Sequence, residues 1–212
     1  MQDALRPPKT DWLVGPTRAL LAVAPMLGGA WLYARIKSPF PYDGTFYDRR
    51  PAATSFTATD QDGRPATFGG SGQVTALFFG FLHCPNVCPL TLTSLEQARA
   101  ALPASLRDDF RVVFVTLDPA RDRPEKIKSY VRDFGQDITG LYVREPKLAE
   151  VARAYGVEYT RVDGPSANTD QINHTPGTSL IDREGRLRLV WDDTQLPNVE
   201  RVTRDLRQVI GE

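Results

Sequence analysis

The residues of this chain best suited to soft-metal or disulfide chemistry are two cysteines and two histidines. Cys84 and Cys88 lie four residues apart in the run F-F-G-F-L-H-C-P-N-V-C-P-L, and His83 directly precedes the first cysteine. His174 lies far downstream, within N-H-T-P-G. Two neighbouring thiols can close into a structural disulfide, attack the disulfide of another protein, or bind a soft metal ion. The spacing of the cysteines leaves these three chemistries open.

A third ligand would separate a metal site from a redox pair. His174 lies shortly before a predicted strand, whereas His83 is adjacent to Cys84. Because neighbouring side chains point in different directions, we expect His83 to pack or to face solvent. Two thiolates and one imidazole make a three-coordinate set that suits copper, as Cu(I) or Cu(II). A structural zinc site would need a fourth protein ligand, and we find no candidate for it.

The elements around these residues alternate between strand and helix. An Asp-Gly turn joins two short alternating segments and predicts a hairpin. The apolar runs are typical of buried strands, and the apolar residues of the helices recur at helical spacing. The predicted strands are residues 55–59, 64–68, 74–81, 111–117, 178–181 and 187–191, and the predicted helices are residues 90–102, 124–134, 146–155 and 198–210. This pattern predicts an α/β domain whose partly parallel sheet is covered by helices.

The cysteines follow the buried strand 74–81, at the sheet edge where ligands bind in open α/β folds. Because Pro89 would lose a hydrogen bond inside a helix, we expect the helix to begin near Pro89. Both cysteines would then lie in the loop before the helix. The N–H groups of a helix N-terminus stabilise a thiolate and lower the pKa of the thiol.

Length and charge restrict the class of protein. The chain has 212 residues, which suits one domain with a further segment. Its 26 basic and 26 acidic side chains give no formal net charge, which argues against a nucleic-acid-binding protein. Two cysteines also exclude a disulfide-dense fold.

An uncharged apolar run at residues 19–34 predicts a membrane anchor. As a helix it would span ~24 Å, and residues 12–17 can lengthen it toward the ~30 Å of a bilayer core. Arg6, Lys9 and Arg18 precede it, which favours a cytoplasmic N-terminus. A cleaved signal peptide is the alternative interpretation, and either one exports the rest of the chain.

Three segments follow from these observations. Residues 1–37 form a cytoplasmic tail and a single membrane anchor, and residues 38–53, with three prolines, form a linker. Residues 54–212 form the α/β domain, which is expected on the extracytoplasmic (periplasmic) side of the cytoplasmic membrane.

Three ordered motifs resemble the Sco/SenC family of cytochrome c oxidase assembly proteins. They are F-G-F-L-H-C-P-N-V-C-P, then L-D-P-A-R-D-R-P-E, then N-H-T followed by L-I-D-R-E-G-R-L. The resemblance implies a thioredoxin-like fold with a central mixed sheet and flanking helices, and an N-terminal transmembrane helix. It also implies copper bound by Cys84, Cys88 and His174.

The resemblance further implies delivery of this copper to the dinuclear copper centre of cytochrome c oxidase. The alternative is a thiol–disulfide oxidoreductase that reduces the cysteines of that centre, with Cys84 as the attacking thiol. The implied partner is the oxidase subunit that carries the centre. Another copper chaperone and a thiol–disulfide reductant are further candidate partners.

The chain departs from the family pattern at two positions. Asn86 and Asn173 stand where the family usually has Asp. Neither is a ligand, so we expect copper binding to survive, with a modest change in affinity or partner docking.

Two further features have competing interpretations. Pro176 lies where thioredoxin-like oxidoreductases carry a cis-proline, and a cis Thr175–Pro176 bond would support redox chemistry, although base rates favour trans. In D-P-A-R-D, residues 118–122, Asp122 is predicted to cap the helix at 124–134, or else the segment forms an acidic surface or surrounds the site.

Overall fold

The structure is a computed structural model that describes residues 25–31, 33, 40–70, 72–162 and 171–212. It divides into two units, Met1–Pro41 and Tyr42–Glu212. In the first unit the described residues 25–31 and 33 are helical. No helix among the residues described is both long enough and apolar enough to cross a membrane. Half of the predicted anchor run at residues 19–34, namely residues 19–24, 32 and 34, lies outside the described residues.

A mixed sheet of eight strands organises the second unit, in the order β1-β10-β9-β4-β5-β6-β2-β3. The strands are β1 (Thr45–Phe46), β2 (Phe56–Asp60), β3 (Pro65–Phe68), β4 (Val74–Gly80), β5 (Phe110–Thr116), β6 (Ile138–Tyr142), β7 (Tyr159–Val162), β8 (Gln171–His174), β9 (Thr178–Ile181) and β10 (Leu187–Trp191). Strands β4, β5 and β6 are parallel, and the other pairs are antiparallel. Every residue of β4 is buried, because both faces of this central strand are covered. The predicted mixed sheet is confirmed.

Five helices connect or flank the strands in the described part of this unit. They are α1 (Val87–Ala101), α2 (Ala104–Arg107), α3 (Pro124–Arg132), α4 (Lys147–Ala154) and α5 (Val199–Ile210). Helix α1 crosses from β4 to the parallel strand β5, so the β4–α1 loop lies at the carboxyl edge of the sheet. This is the edge at which the sequence predicts the site.

Strands β7 and β8 form a separate two-stranded sheet, which the sequence pattern did not predict. Tyr159 pairs with His174, the last residue of β8. Only Ile172 is buried among the residues of β7 and β8, so neither strand carries the apolar pattern of a buried one. The hairpin therefore supplies the histidine from outside the main sheet.

The suggested cis bond at Thr175–Pro176 is not found. In the part of the chain that the structure describes, the cis peptide bond lies at Glu145–Pro146, before α4.

Part of the segment predicted as a linker is held against the domain. Strand β1 pairs with β10, and the buried Asp205 on α5 accepts hydrogen bonds from the backbone N–H groups of Asp43 (2.9 Å) and Gly44 (3.3 Å). A Cβ at Gly44 would lie 2.7 Å from Cδ1 of Leu189 and 3.0 Å from the carbonyl oxygen of Val190, so glycine suits this close approach to β10. From Tyr42 onward, the chain therefore belongs to the second unit.

Replacing Asp205 should release this segment. Asp205→Ala removes the acceptor of two backbone N–H groups and of Trp191 Nε1, at 3.1 Å. Because buried donors left without partners are costly, we expect the free energy of unfolding to fall by about 2 kcal/mol. Urea unfolding measures this change, with the exposed Asp48→Ala as control. Equal unfolding midpoints for the two variants would contradict the prediction.

Candidate metal centre

The two cysteines lie where β4 ends and α1 begins, and both are free thiols. Cys88 is fully buried, and Cys84 is partly exposed, as expected for the attacking thiol. A Cβ at Gly80, the last residue of β4, would lie 2.9 Å from Cys88 Sγ. The glycine therefore makes room for this sulfur against the end of the strand.

Cys84 supplies the hydrogen-bond acceptor at the start of α1. The residue before the helix, Asn86, makes no capping hydrogen bond with its side chain. Instead, the backbone N–H of Cys88 donates to Cys84 Sγ, at 3.3 Å. Since the first N–H groups of a helix lack partners within it, the sulfur takes the place of a capping side chain.

The prediction that the helix begins near Pro89 was wrong by two residues. Helix α1 begins at Val87, so Cys88 lies in its first turn and only Cys84 lies in the preceding loop. Pro89 is tolerated because the N–H groups in the first turn of a helix have no acceptor within the helix, so the missing N–H of proline costs no helical hydrogen bond. The helix start therefore makes the two cysteines unequal.

The two thiols have opposite pKa shifts. A hydrogen bond from the Cys88 thiol lowers the pKa of Cys84 to about 5, and the backbone N–H groups of Cys88 and Asn86 and the nearby His174 act in the same direction, against desolvation. The same hydrogen bond, together with burial, raises the pKa of Cys88. At neutral pH the pair is therefore one thiolate and one thiol.

His174 lies at the same end of the sheet. Its ring contacts Phe78 and Phe81 edge-on, with ring centroids 6.5 and 6.2 Å apart. Its Nδ1 lies 3.1 Å from the carbonyl oxygen of Thr175. Because a carbonyl oxygen only accepts, this hydrogen bond places the ring proton on Nδ1 and leaves the lone pair of Nε2 open to a metal.

His174 lies near enough to Cys84 to help lower the pKa of its thiol, but Cys84, Cys88 and His174 do not form a closed ligand group. Within the described ranges, no three His, Cys, Asp or Glu side chains are gathered closely enough to hold a metal ion. The donor set itself, two sulfurs and one imidazole nitrogen, fits a soft ion such as copper.

Asp122 lies beneath the cysteine loop, and its predicted role as a helix cap is wrong. The residue before α3 is Arg123, and no side chain caps this helix. Asp122 is buried, and its Oδ2 accepts from Thr116 Oγ1 (2.6 Å) and from the backbone N–H of Leu82 (3.1 Å). Burial raises the pKa of Asp122, against these two hydrogen bonds.

Two other residues considered in the sequence analysis, His83 and Asp118, are exposed or form ion pairs. The side chain of His83 is 41% exposed, as expected, and its Nδ1 lies 3.8 Å from Asp122 Oδ1. Asp118 is buried and pairs with Arg121 and, at 3.8 Å, with Arg161. Asp118 and Asp122 therefore do not form an acidic surface.

The asymmetry of the cysteines predicts the pH dependence of alkylation. Because the thiolate is the nucleophile, the rate at which iodoacetamide modifies Cys84 should rise with a midpoint near pH 5. Cys88 should stay unmodified at neutral pH. Mass spectrometry of the quenched reaction measures both rates, and the urea-unfolded chain, whose thiols titrate near ~8.5, is the control. A midpoint near 8 in the folded protein would refute the assignment.

Comparison with known proteins supports the α/β fold and assigns a family. A family model described as SCO1/SenC matches residues 46–211. The solution structure of apo Sco1 from Thermus thermophilus is 32% identical, covers 79% of this chain and 96% of its own, and superposes with a TM-score of 0.70. ScoI of Bradyrhizobium japonicum, solved with copper bound, is 30% identical, covers 74% and 99%, and has a TM-score of 0.66.

A curated relative extends the match. The SCO2-like protein of Rickettsia prowazekii is 30% identical over 182 residues, which are 80% of this chain and 86% of the relative. The expected thioredoxin-like fold and the resemblance to Sco/SenC proteins are confirmed. The chain belongs to the SCO1/SenC family.

Proposed function

We propose that this protein is a membrane-anchored copper chaperone. Copper is its cargo, bound as Cu(I) or Cu(II) by Cys84, Cys88 and His174 and delivered to the dinuclear copper centre of cytochrome c oxidase. The observation that carries the proposal is the arrangement of the two sulfurs at one helix start, with the ring of His174 packed against Phe81, three residues before Cys84. The copper-bound ScoI structure of the same family supports it.

The protonation states suit the capture of a metal ion. Cys84 offers a thiolate at neutral pH, so its binding to copper requires no proton loss. The Cys88 thiol must lose its proton as it binds, and the positive charge of the metal favours this loss. His174 contributes Nε2, since its Nδ1 donates to Thr175.

The exposure of the ligands suits release by ligand exchange. Cys84 and His174 are partly exposed, whereas Cys88 is buried in the core. A partner's ligands can therefore displace Cys84 and His174 first and Cys88 last. The recipient we propose is the oxidase subunit that carries the dinuclear centre, and another copper chaperone is a candidate donor.

The anchor is proposed from the apolar run at residues 19–34. Trp31 and Tyr33, both exposed in the described part of this run, are the residue types that favour a membrane interface. With the N-terminus in the cytoplasm, the copper-binding domain would lie on the periplasmic side. Cleavage of the segment as a signal peptide is the alternative, and the mass of the mature chain distinguishes the two.

Copper titration tests the proposed ligands. The reduced, full-length chain in detergent should bind a single equivalent of Cu(I) in competition with a chromophoric chelator. Cys84→Ser and Cys88→Ser should lose this binding. His174→Ala should weaken Cu(I) binding by more than roughly tenfold, because loss of a residue that only supports a ligand already costs about that much.

His83→Ala is the matched control, because it removes the chain's other histidine, next to Cys84. Its affinity should equal that of the unaltered chain. Equal losses in His83→Ala and His174→Ala would refute the ligand assignment. Absence of transfer from the loaded chain to the apo oxidase subunit would refute delivery.

A second candidate function is reduction of the disulfide in the recipient's copper centre. The unequal thiols of Cys84 and Cys88 favour it. The Cys84 thiolate would attack one sulfur of the target disulfide and form a mixed disulfide, releasing the other target sulfur as a thiolate. Cys88 would then lose its proton and attack Cys84 Sγ, leaving a Cys84–Cys88 disulfide and a reduced target.

Trapping distinguishes this reaction from copper delivery. Cys88→Ser should accumulate the mixed disulfide with the oxidised target, whereas Cys84→Ser should form none. His174→Ala should keep the rate of reduction, because the exchange does not require the imidazole. Gel mobility without reductant measures the adduct, and an adduct that persists in Cys84→Ser would overturn the assignment of the attacking thiol.

A further inference from the structure

The backbone between β4 and Cys84 is held by a buried carboxylate. The last backbone hydrogen bond between the ends of β4 and β5 runs from the N–H of Leu117 to the carbonyl oxygen of Gly80, at 2.7 Å. Two residues later, the N–H of Leu82 donates to Asp122 Oδ2, at 3.1 Å. Where the chain leaves the sheet, its backbone is therefore held by the carboxylate of Asp122 and no longer by a neighbouring strand.

Leu82 precedes Cys84 by two residues, and the chain turns between them. The N–H of Cys84 donates to the carbonyl oxygen of Phe81, at 3.2 Å, which closes this turn. Asp122 is thus joined to Cys84 through one turn of backbone. Displacement of Leu82 would move Cys84 Sγ relative to the start of α1.

The carboxylate of Asp122 is itself fixed. Its side chain has no exposed surface, and Thr116 Oγ1 holds Oδ2 at 2.6 Å. The other oxygen, Oδ1, is buried without a hydrogen-bond partner, and the nearest imidazole nitrogen, Nδ1 of His83, lies 3.8 Å away. That distance is too long for a hydrogen bond, so the hold on the loop does not depend on His83.

We propose that Asp122 is a positioning residue for copper binding, which acts by accepting the Leu82 N–H and so placing Cys84 Sγ against Cys88. This inference rests on the proposed copper-carrier function. Asp122 is not a ligand: its Oδ2 is used by Thr116 and Leu82. Residues that hold a metal ligand from outside the ligand shell affect metal affinity by roughly 10–100-fold.

The chain offers a matched control in Asp205. Asp205 is also fully buried, also accepts several hydrogen bonds through Oδ2, and also has an unpartnered Oδ1. Its partners belong to the segment around β1 and to β10, not to the cysteine loop. If removal of any buried carboxylate weakened copper binding, Asp122→Ala and Asp205→Ala should therefore lose the same Cu(I) affinity.

The test is Cu(I) competition titration of the reduced, full-length chain, with thermal unfolding of each variant. Asp122→Ala should weaken Cu(I) binding by roughly tenfold or more, whereas Asp205→Ala should lower stability and leave the affinity unchanged. Asp122→Asn should remain within about threefold of the unaltered chain, because its amide oxygen still accepts from Leu82. If Asp122→Ala does not fold, Thr116→Val replaces it in the test. This substitution removes the hydroxyl that holds the Asp122 carboxylate and keeps the carboxylate itself. We expect it to lower the Cu(I) affinity a few-fold.

Each outcome decides the inference. Equal affinities for Asp122→Ala and Asp205→Ala, or an unchanged affinity for Thr116→Val, would reduce Asp122 to a structural residue. A loss in Asp122→Asn as large as in Asp122→Ala would show that charge acts rather than position. If the unaltered chain binds copper, these results overturn the positioning role alone; if it does not, both the role and the proposed function fail.

Discussion

The hydrogen bond from the Cys88 N–H to Cys84 Sγ is the interaction on which the site depends. It places one sulfur at the N-terminus of α1, where the helix has N–H groups without partners and a positive dipole end. It also requires Cys88 to lie in the first turn of the helix, with its own sulfur against Gly80. The position of α1 relative to β4 therefore determines both the geometry and the protonation of the pair.

The site joins a rigid half and an accessible half. Cys88 and Asp122 are buried beside the central strands β4 and β5, which are themselves enclosed. Cys84 and His174 lie at the surface, and His174 belongs to a hairpin that pairs with no strand of the main sheet among the described residues. The proposed copper chaperone must hold an ion and also release it, and this division would provide a fixed ligand together with ligands that a partner can reach.

Much of the fold follows from local pattern. The hairpin of β2 and β3 and the strands β4, β5, β9 and β10 were predicted within one residue at each end, because apolar runs and an Asp-Gly turn are strong local signals. Strands β1, β7 and β8 were missed, since they are short and largely exposed, and β6 was missed as well. Pairing with distant segments, not the local sequence, decides whether such residues are strands.

The sequence by itself determined the candidate donor residues, the strand-to-helix connection at which the cysteines lie, and the family resemblance, because these depend on residue types and their spacing. The tertiary structure decided which residues those side chains meet. Asp122 lies thirty-eight residues after Cys84 along the chain and reaches the loop only because β4 and β5 are adjacent and parallel. The unequal pKa values of the thiols likewise arise from burial and hydrogen bonding around α1, which depend on packing that no spacing of cysteines encodes.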